Sequence, residues 1–341
     1  MKAIGYSKSL PITDSAALID IELPQPVASG RDLLVKIKAI AVNPVDTKVR
    51  LRAAPKDGEY KVLGWDAVGE VVAVGEAVTL FKPGDAVYYA GDLTRSGSNA
   101  EYQLVDERIV GHKPKRLSDS EAAALPLTTI TAWELLFEHL QIKQISDNVA
   151  APSDEVILVV GAAGGVGSIL LQLARTLTGA TIIATASRES SQAWVKKLGA
   201  HHVVNHTQPL APQVEALGIG QVTHVASLND SAAYLDSYIE MLKPFGRIAL
   251  IDDPEELDAT KIKPKSLSLH FEFMFARSMH NANDMHEQGR LLDLVADLID
   301  QERIATTVGK HLGPINAANL RAAHAELEAG RSIGKIVLEG F

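Results

Sequence analysis

The chain has 341 residues, a length that fits two domains of roughly 100–200 residues each. With 46% hydrophobic and 22% charged residues it has the balance of a globular protein with sizeable cores, which excludes a disordered or collagen-like chain. Its 33 basic and 42 acidic residues give a formal net charge of −9, so nothing offsets the repulsion of phosphates and no nucleic-acid partner is expected. Cysteine is absent, which excludes a disulfide framework, a thiolate nucleophile and any zinc site with Cys ligands. The stretch Met1 to Tyr6 runs into Ser7, Lys8 and Ser9 without the apolar core of a signal peptide, and no apolar run approaches the roughly 20 residues of a membrane span. A cytoplasmic protein without membrane contact is the expectation.

The first 125 residues are β-rich. Asp32 to Asn43 (DLLVKIKAIAVN) alternates as a half-buried strand with Val35, Ile37, Ala39 and Ala41 on one face. Ala67 to Gly75 is a second strand, and Phe81 to Ala90 places a Pro-Gly-Asp turn ahead of a strand that begins at Ala86. Short strands with glycine turns point to a barrel-like β domain.

The character changes near Ser118, which stands three residues before Glu121 in a capping-box spacing. A second helical pattern after Pro126 carries Trp133, Leu136, Phe137 and Leu140. Apolar strands then alternate with helices: EVILVV, SILLQLARTL, ATIIATA, SSQAWVKKLGA, HHVV, THVASL and GRIALI. That alternation predicts a parallel sheet covered on both faces. Ser266 to Phe275 reads as a further strand, Asn283 to Gln301 as a long helix, and the tail GKIVLEGF as a strand that could rejoin the first domain.

The most informative segment is Gly161-Ala162-Ala163-Gly164-Gly165-Val166-Gly167, between an apolar strand and an amphipathic helix. Glycines let the backbone turn sharply and approach a pyrophosphate, and a helix beginning near Val166 offers unpaired N–H groups to it. Ala162 replaces the first glycine of G-x-G-x-x-G, with Gly164 and Gly167 in the other two places. An NAD site places a carboxylate at the end of the next strand, but here Ala186 is followed by Ser187 and Arg188. A hydroxyl and a guanidinium suit a 2′-phosphate and favour NADPH; the alternative is that Ser187 caps the next helix and Arg188 is solvated. His206, after the following strand, either flanks the same phosphate or is a solvated loop residue.

With that turn in place the whole chain, Met1 to Phe341, resembles the medium-chain dehydrogenase/reductase superfamily, and within it the zinc-free quinone oxidoreductase branch. Six motifs in order carry the resemblance: AVNPVDTKVR (Ala41 to Arg50), GWDAVGEVVAVG (Gly64 to Gly75), FKPGDAVY (Phe81 to Tyr88), LPLTTITAWELL (Leu125 to Leu136), GAAGGVGS (Gly161 to Ser168) and GKIVLEGF (Gly334 to Phe341). Lys265 to Met279 further resembles a bacterial subgroup labelled zinc-type alcohol dehydrogenase-like. The resemblance implies an α/β protein with a GroES-like β-barrel catalytic domain (1–125 and 303–341) and a Rossmann doubly wound nucleotide-binding domain (126–302). It also implies a cofactor in the cleft between them and a homodimer through the Ser266–Phe275 strand.

The zinc members of the family put a Cys where this chain has Asn43 to Asp46, and His-Glu where it has Trp65-Asp66; they also carry a four-Cys lobe. Asp66 alone cannot make a zinc site, so no metal is expected. Without zinc, alcohol oxidation gives way to acceptors that take a hydride readily, quinones and conjugated enones or enals, with the protein mainly positioning the nicotinamide. The resemblance implies that Asn43 lies near the nicotinamide and that Thr129 and Lys335 contact the cofactor. Lys48 could help an oxyanion or be exposed, Tyr60 could donate a proton or line the entrance, and Phe273 and Met274 could touch the nicotinamide or be strand packing. Asn43, Lys48 and Tyr60 are thus the catalytic candidates; Asp46 is read as a hydrogen bond to its own turn. Zinc held by unexpected ligands, or an NADPH-binding sensor of low turnover, are the alternative functions.

Overall fold

The computed structural model of the chain describes residues 1–145 and 153–341. They form two compact units, 1–130 with 275–341, and 131–274.

The first segment of the first unit holds β1 (Lys2–Tyr6), β2 (Ile19–Glu22), β3 (Asp32–Val42), α1 (Pro44–Arg52), β4 (Lys61–Val62), β5 (Ala67–Val74), β6 (Ala86–Tyr89), β7 (Tyr102–Asp106), β8 (Val110–His112), α2 (Asp119–Ala123) and the start of α3 (Pro126–Trp133). β3 is its axis. β5 pairs along one edge from Leu33 to Ile40, while β7 pairs with Asp32 to Lys36. The expected one-faced alternation of β3 is replaced by burial on both faces, with only Lys36 fully exposed. Register shifts at Leu34/Val35 and Ile37/Ala39 turn its side chains, and α2 packs against it. The capping box of α2 is as expected, Ser118 N–H donating to Glu121 Oε2 at 2.9 Å and Glu121 N–H to Ser118 Oγ at 3.3 Å.

The second unit opens with the end of α3 and a π-helical turn at Glu134–His139. It contains β9 (Val156–Val160), α4 (Gly165–Leu177), β10 (Thr181–Thr185), α5 (Glu189–Lys197), β11 (His202–Val204), α6 (Leu210–Glu215), β12 (Val222–Ser227), α7 (Ser231–Met241), β13 (Leu242–Leu250) and β14 (Ser268–Phe271). Its six strands are all parallel in the order β11-β10-β9-β12-β13-β14. This is the doubly wound arrangement, with its switch point between β9 and β12. All five residues of β9 are buried and apolar because both faces of that central strand are covered. β14 is shorter than the expected Ser266–Phe275: Ser266 takes a left-handed φ of 50°, and the N–H of Glu272 makes the last bond to the sheet, at Leu250 O. The chain then turns into α8 (Ala276–Met279).

Helix α9 (Glu287–Asp300), β15 (Val308–His311), α10 (Ala317–Glu328) and β16 (Lys335–Glu339) return to the first unit. The boundaries at 130 and 274 differ from the 125 and 302 expected from the sequence. The cause is α9, which lies against β8: Tyr88 Oη donates to Leu292 O at 2.5 Å and His112 N–H to Asp293 Oδ1 at 2.7 Å. A Cβ on Gly289 would stand 2.8 Å from Arg108 O and Val110 O, so glycine is what permits that approach. As the tail pattern suggested, β16 pairs antiparallel with Ala39 to Val42 of β3.

Helices α1 and α10 are tied by a buried guanidinium. Arg50, 0% exposed, pairs with Glu328, donates to Leu10 O, and reaches His324 Nδ1 at 3.4 Å. Burial, and then the Arg50 charge, push the His324 imidazole down to about 3, so it is a neutral acceptor there. Glu328→Gln leaves Arg50 buried without its counter-charge and should cost about 3 kcal/mol, read as a lower urea midpoint at unchanged slope.

Candidate active site

In the second unit the phosphate turn links β9 to α4 through Gly161, whose φ of 77° lies in the left-handed region. The N-cap of α4 is Gly164, which has no side chain to cap the helix, so the N–H groups of Gly165, Val166 and Gly167 keep the orphan donors of a first turn. A Cβ on Gly167 would come 2.4 Å from Ala162 O, so only glycine lets the helix sit this close to the turn. Ala162 is fully buried in the place of the missing glycine. Gly161 N–H donates to Thr185 Oγ1 at 3.2 Å, fixing the turn to the end of β10. The fit to a pyrophosphate is good: backbone donors, a helix N-terminus and no side chain in the way.

No carboxylate stands at the end of β10. Ser187 is half-buried and Arg188 exposed. The N-cap of α5 is Arg188 rather than Ser187: its N–H donates to Ser191 Oγ at 3.2 Å, and Ser191 Oγ donates back to Arg188 O at 2.8 Å. His206 comes close enough to Arg188 to feel its charge; burial first, and then that charge, hold the imidazole below its usual range. Its Nδ1 is buried without a hydrogen-bond partner among the described residues. Phe273 is exposed and Met274 buried at the end of this unit.

The first unit holds a buried polar cluster that the sequence pattern had only partly assembled. Asn43 caps α1 and is 1% exposed. Its Nδ2 donates to Asp66 Oδ2 at 2.8 Å, and Lys335 Nζ donates both to Asn43 Oδ1 and, at 2.7 Å, to Asp66 Oδ2. The other carboxylate oxygen, Asp66 Oδ1, accepts Leu127 N–H at 2.7 Å. Asp46 Oδ2 accepts Asn43 N–H at 2.7 Å, the bond to its own turn expected of it. Burial pushes the Asp46 carboxyl up to about 7, against the Asn43 N–H and Lys335, which favour its charged form. Burial also raises Asp66, while Lys335, Leu127 N–H and Asn43 pull it back. Thr129 is fully buried and its Oγ1 has no hydrogen-bond partner among the described residues. Lys48 is half-buried on α1 and Tyr60 is 48% exposed before β4, so neither belongs to the buried cluster.

Residues 29–115 match the alcohol dehydrogenase GroES-like domain, and residues 165–290 match the zinc-binding dehydrogenase domain. A zinc-type alcohol dehydrogenase-like protein of Staphylococcus aureus is 39% identical over 342 residues, 99% of each chain. The chain belongs to the medium-chain dehydrogenase/reductase superfamily. Among solved structures, a putative zinc-dependent alcohol dehydrogenase from Rhizobium etli is 53% identical with a TM-score of 0.95, covering 100% of this chain and 98% of that one. The quinone oxidoreductase of Coxiella burnetii is 26% identical with a TM-score of 0.80, covering 100% and 99%. A mycobacterial protein complexed with NADPH is 27% identical with a TM-score of 0.82, covering 99% and 100%. The fold is therefore the α/β pairing of a GroES-like domain with a Rossmann domain.

Zinc in the names of these superfamily relatives does not fit the donors present here. Among the described residues no three His, Cys, Asp or Glu side chains converge on one point. Asp66 has both oxygens committed to Lys335, Asn43 and Leu127, so no lone pair set is aimed at a metal. The Lys335–Asp66 pair is what the sequence pattern left unassembled, and its signal is a charged residue inside each of two apolar runs, GWDAVGEVVAVG and GKIVLEGF.

The raised Asp46 makes a pH prediction. The folded state holds this proton after the unfolded chain has lost it, so Asp46 favours folding below about pH 4 and that contribution is lost as pH rises through about 7. Asp46→Asn, which still offers an oxygen to Asn43 N–H, should match the parent near pH 4 and exceed its stability near pH 8 by on the order of a few kcal/mol, measured by urea unfolding at the two pH values.

Proposed function

We propose that this dehydrogenase/reductase is an NADPH-dependent enzyme that delivers a hydride, without a metal, to a quinone or to an alkene conjugated with a carbonyl. The observation that carries the reading is the Lys335–Asp66–Asn43 cluster. An ammonium already occupies Asp66, the carboxylate that stands where the zinc members carry a ligand motif, so that group is not free to hold a metal that would polarise an alcohol. Likeness to the Coxiella quinone oxidoreductase and to the mycobacterial NADPH complex supports the same reading.

NADPH when bound supplies the hydride. The N–H groups of Gly165, Val166 and Gly167 hold its pyrophosphate, with Gly161, Ala162 and Gly164 giving the backbone room. Ser187, Arg188 and His206 hold the 2′-phosphate, Arg188 through charge-assisted bonds. Thr129, with its unpartnered buried hydroxyl, and Phe273 and Met274 are the remaining proposed contacts. Lys335 is a further proposed cofactor contact, with two of its three donors serving Asn43 and Asp66.

Asn43 is held against an amide flip, because Lys335 can only donate to Oδ1 while Asp66 Oδ2, which also accepts from Lys335, accepts from Nδ2. Its second Nδ2–H is therefore the fixed donor of this unit. Lys48 and Tyr60, less buried, are the proposed proton sources for the reduced oxygen. For assembly, β14 is a sheet edge with Phe271 60% and Phe273 49% exposed, which supports a homodimer built on that edge.

The test is NADPH oxidation with 1,4-benzoquinone, 9,10-phenanthrenequinone and a 2-alkenal, with and without chelator. Turnover should resist the chelator; loss with chelator and recovery with zinc would sink the metal-free reading. Arg188→Ala should weaken NADPH roughly tenfold or more while leaving NADH binding unchanged, read by fluorescence titration of both nucleotides.

A further inference from the structure

Two buried carboxyl groups meet at the carboxyl end of β14. Glu272, the residue after the strand, is 6% exposed, and Glu134, the first residue of the π-helical turn, is 5% exposed. The two side chains are hydrogen-bonded to each other. Carboxyl groups make that bond only when one of them keeps a proton. Burial, reinforced by the negative charges of Glu134 and Glu138, raises Glu272 well above the usual carboxyl range. The remaining oxygen, Glu272 Oε1, is buried and has no hydrogen-bond partner among the described residues. It is an acceptor awaiting a donor.

Its place in the sheet identifies the donor. In an open parallel sheet a dinucleotide lies across the carboxyl ends of the strands, one half on each side of the switch point. On the proposed NADPH reading the turn after β9 takes the pyrophosphate, and Arg188 and His206, after β10 and β11, take the adenosine half. The nicotinamide half falls to β12, β13 and β14. β14 is three strands from β9, roughly 14 Å at about 4.8 Å per strand. The group of that half farthest from the pyrophosphate is the ring with its carboxamide; the ribose lies between.

We infer that Glu272 Oε1 accepts a hydrogen bond from the carboxamide N–H2 of the nicotinamide, with Glu134 holding Glu272 in place through the shared proton. Glu272 is thus a cofactor-orienting residue: fixing the carboxamide fixes the rotation of the ring and hence which C4 hydrogen faces the acceptor. The inference rests on the reading of the chain as an NADPH enzyme.

The experiment compares NADPH with its 3-acetylpyridine analogue, whose ring ketone has no N–H, in binding titrations of the parent, Glu272→Leu, Glu272→Gln and Glu134→Gln proteins. The parent should prefer NADPH roughly tenfold or more. Glu272→Leu should weaken NADPH by the same factor and leave the analogue unchanged. Glu272→Gln keeps an amide for Glu134 and an oxygen for the carboxamide, and should retain the preference, as should Glu134→Gln. Equal weakening of both ligands by Glu272→Leu, or no weakening of either, overturns the inference and leaves the NADPH reading intact. A parent that binds no NADPH overturns both. Should the leucine variant not fold, Glu272→Met, an unbranched apolar chain, takes its place with the same outcomes.

Discussion

The constraint on which the first unit turns is a buried ammonium. Lys335 is 3% exposed and its carboxylate partner Asp66 is fully buried, so neither could stay ionised there without the other. That requirement fixes where the end of the chain must go. β16 has to pair with β3 in the register that sets Ile336 against Val42, because the ammonium one residue earlier must reach Asp66 and Asn43. Asn43 is held at the start of α1 by the same bonds, and α1 is held at its other end by the second buried cation, Arg50, against α10. A helix anchored by buried ions at both termini has little freedom to rotate. The orientation of the Asn43 amide follows from this packing, not from any local preference of the residue.

The second unit is organised by a different force. Its phosphate turn is built from backbone: a left-handed glycine, a helix whose cap has no side chain, and a glycine whose missing Cβ lets the turn pack on the helix. Such a site is encoded over seven consecutive residues, and so it was legible in the sequence together with its strand and helix. The capping box of Ser118 and Glu121 and the Pro-Gly-Asp turn before β6 were legible for the same reason, since their partners lie within four residues. The missing carboxylate after β10 was equally local.

The features that escaped are those whose partners are far apart in the chain. Lys335 and Asn43 are separated by 292 residues, Arg50 and Glu328 by 278. Periodicity says that such residues lie in apolar surroundings but not which charge faces which. Glu134 sits in an apolar helical run and Glu272 between two phenylalanines, and nothing in either neighbourhood names the other. The strand after Lys265 was read too long because its aromatic alternation continues past Phe271, whereas the ladder stops where the Glu272 N–H makes its last bond to β13. The helix after Asn283 was assigned to the nucleotide-binding domain by its position in the chain; the close approach of Gly289 to β8 assigns it to the other unit.

The two units solve one electrostatic problem in two ways. Each buries carboxyl groups away from water, where an isolated charge is costly. At Asp66 an ammonium and two N–H donors oppose the burial that raises the carboxyl; at Glu134 and Glu272 the two carboxyl groups are hydrogen-bonded to each other. At Asp66 both oxygens are committed to N–H donors, and such a site orients hydrogen bonds where a metal site would withdraw electrons. An acceptor that already delocalises negative charge onto its own oxygen needs only that orientation to receive a hydride. An alcohol would need its proton removed first. The donor set around Asp66 is thus where the proposed metal-free reading and the zinc in the relatives' names part company.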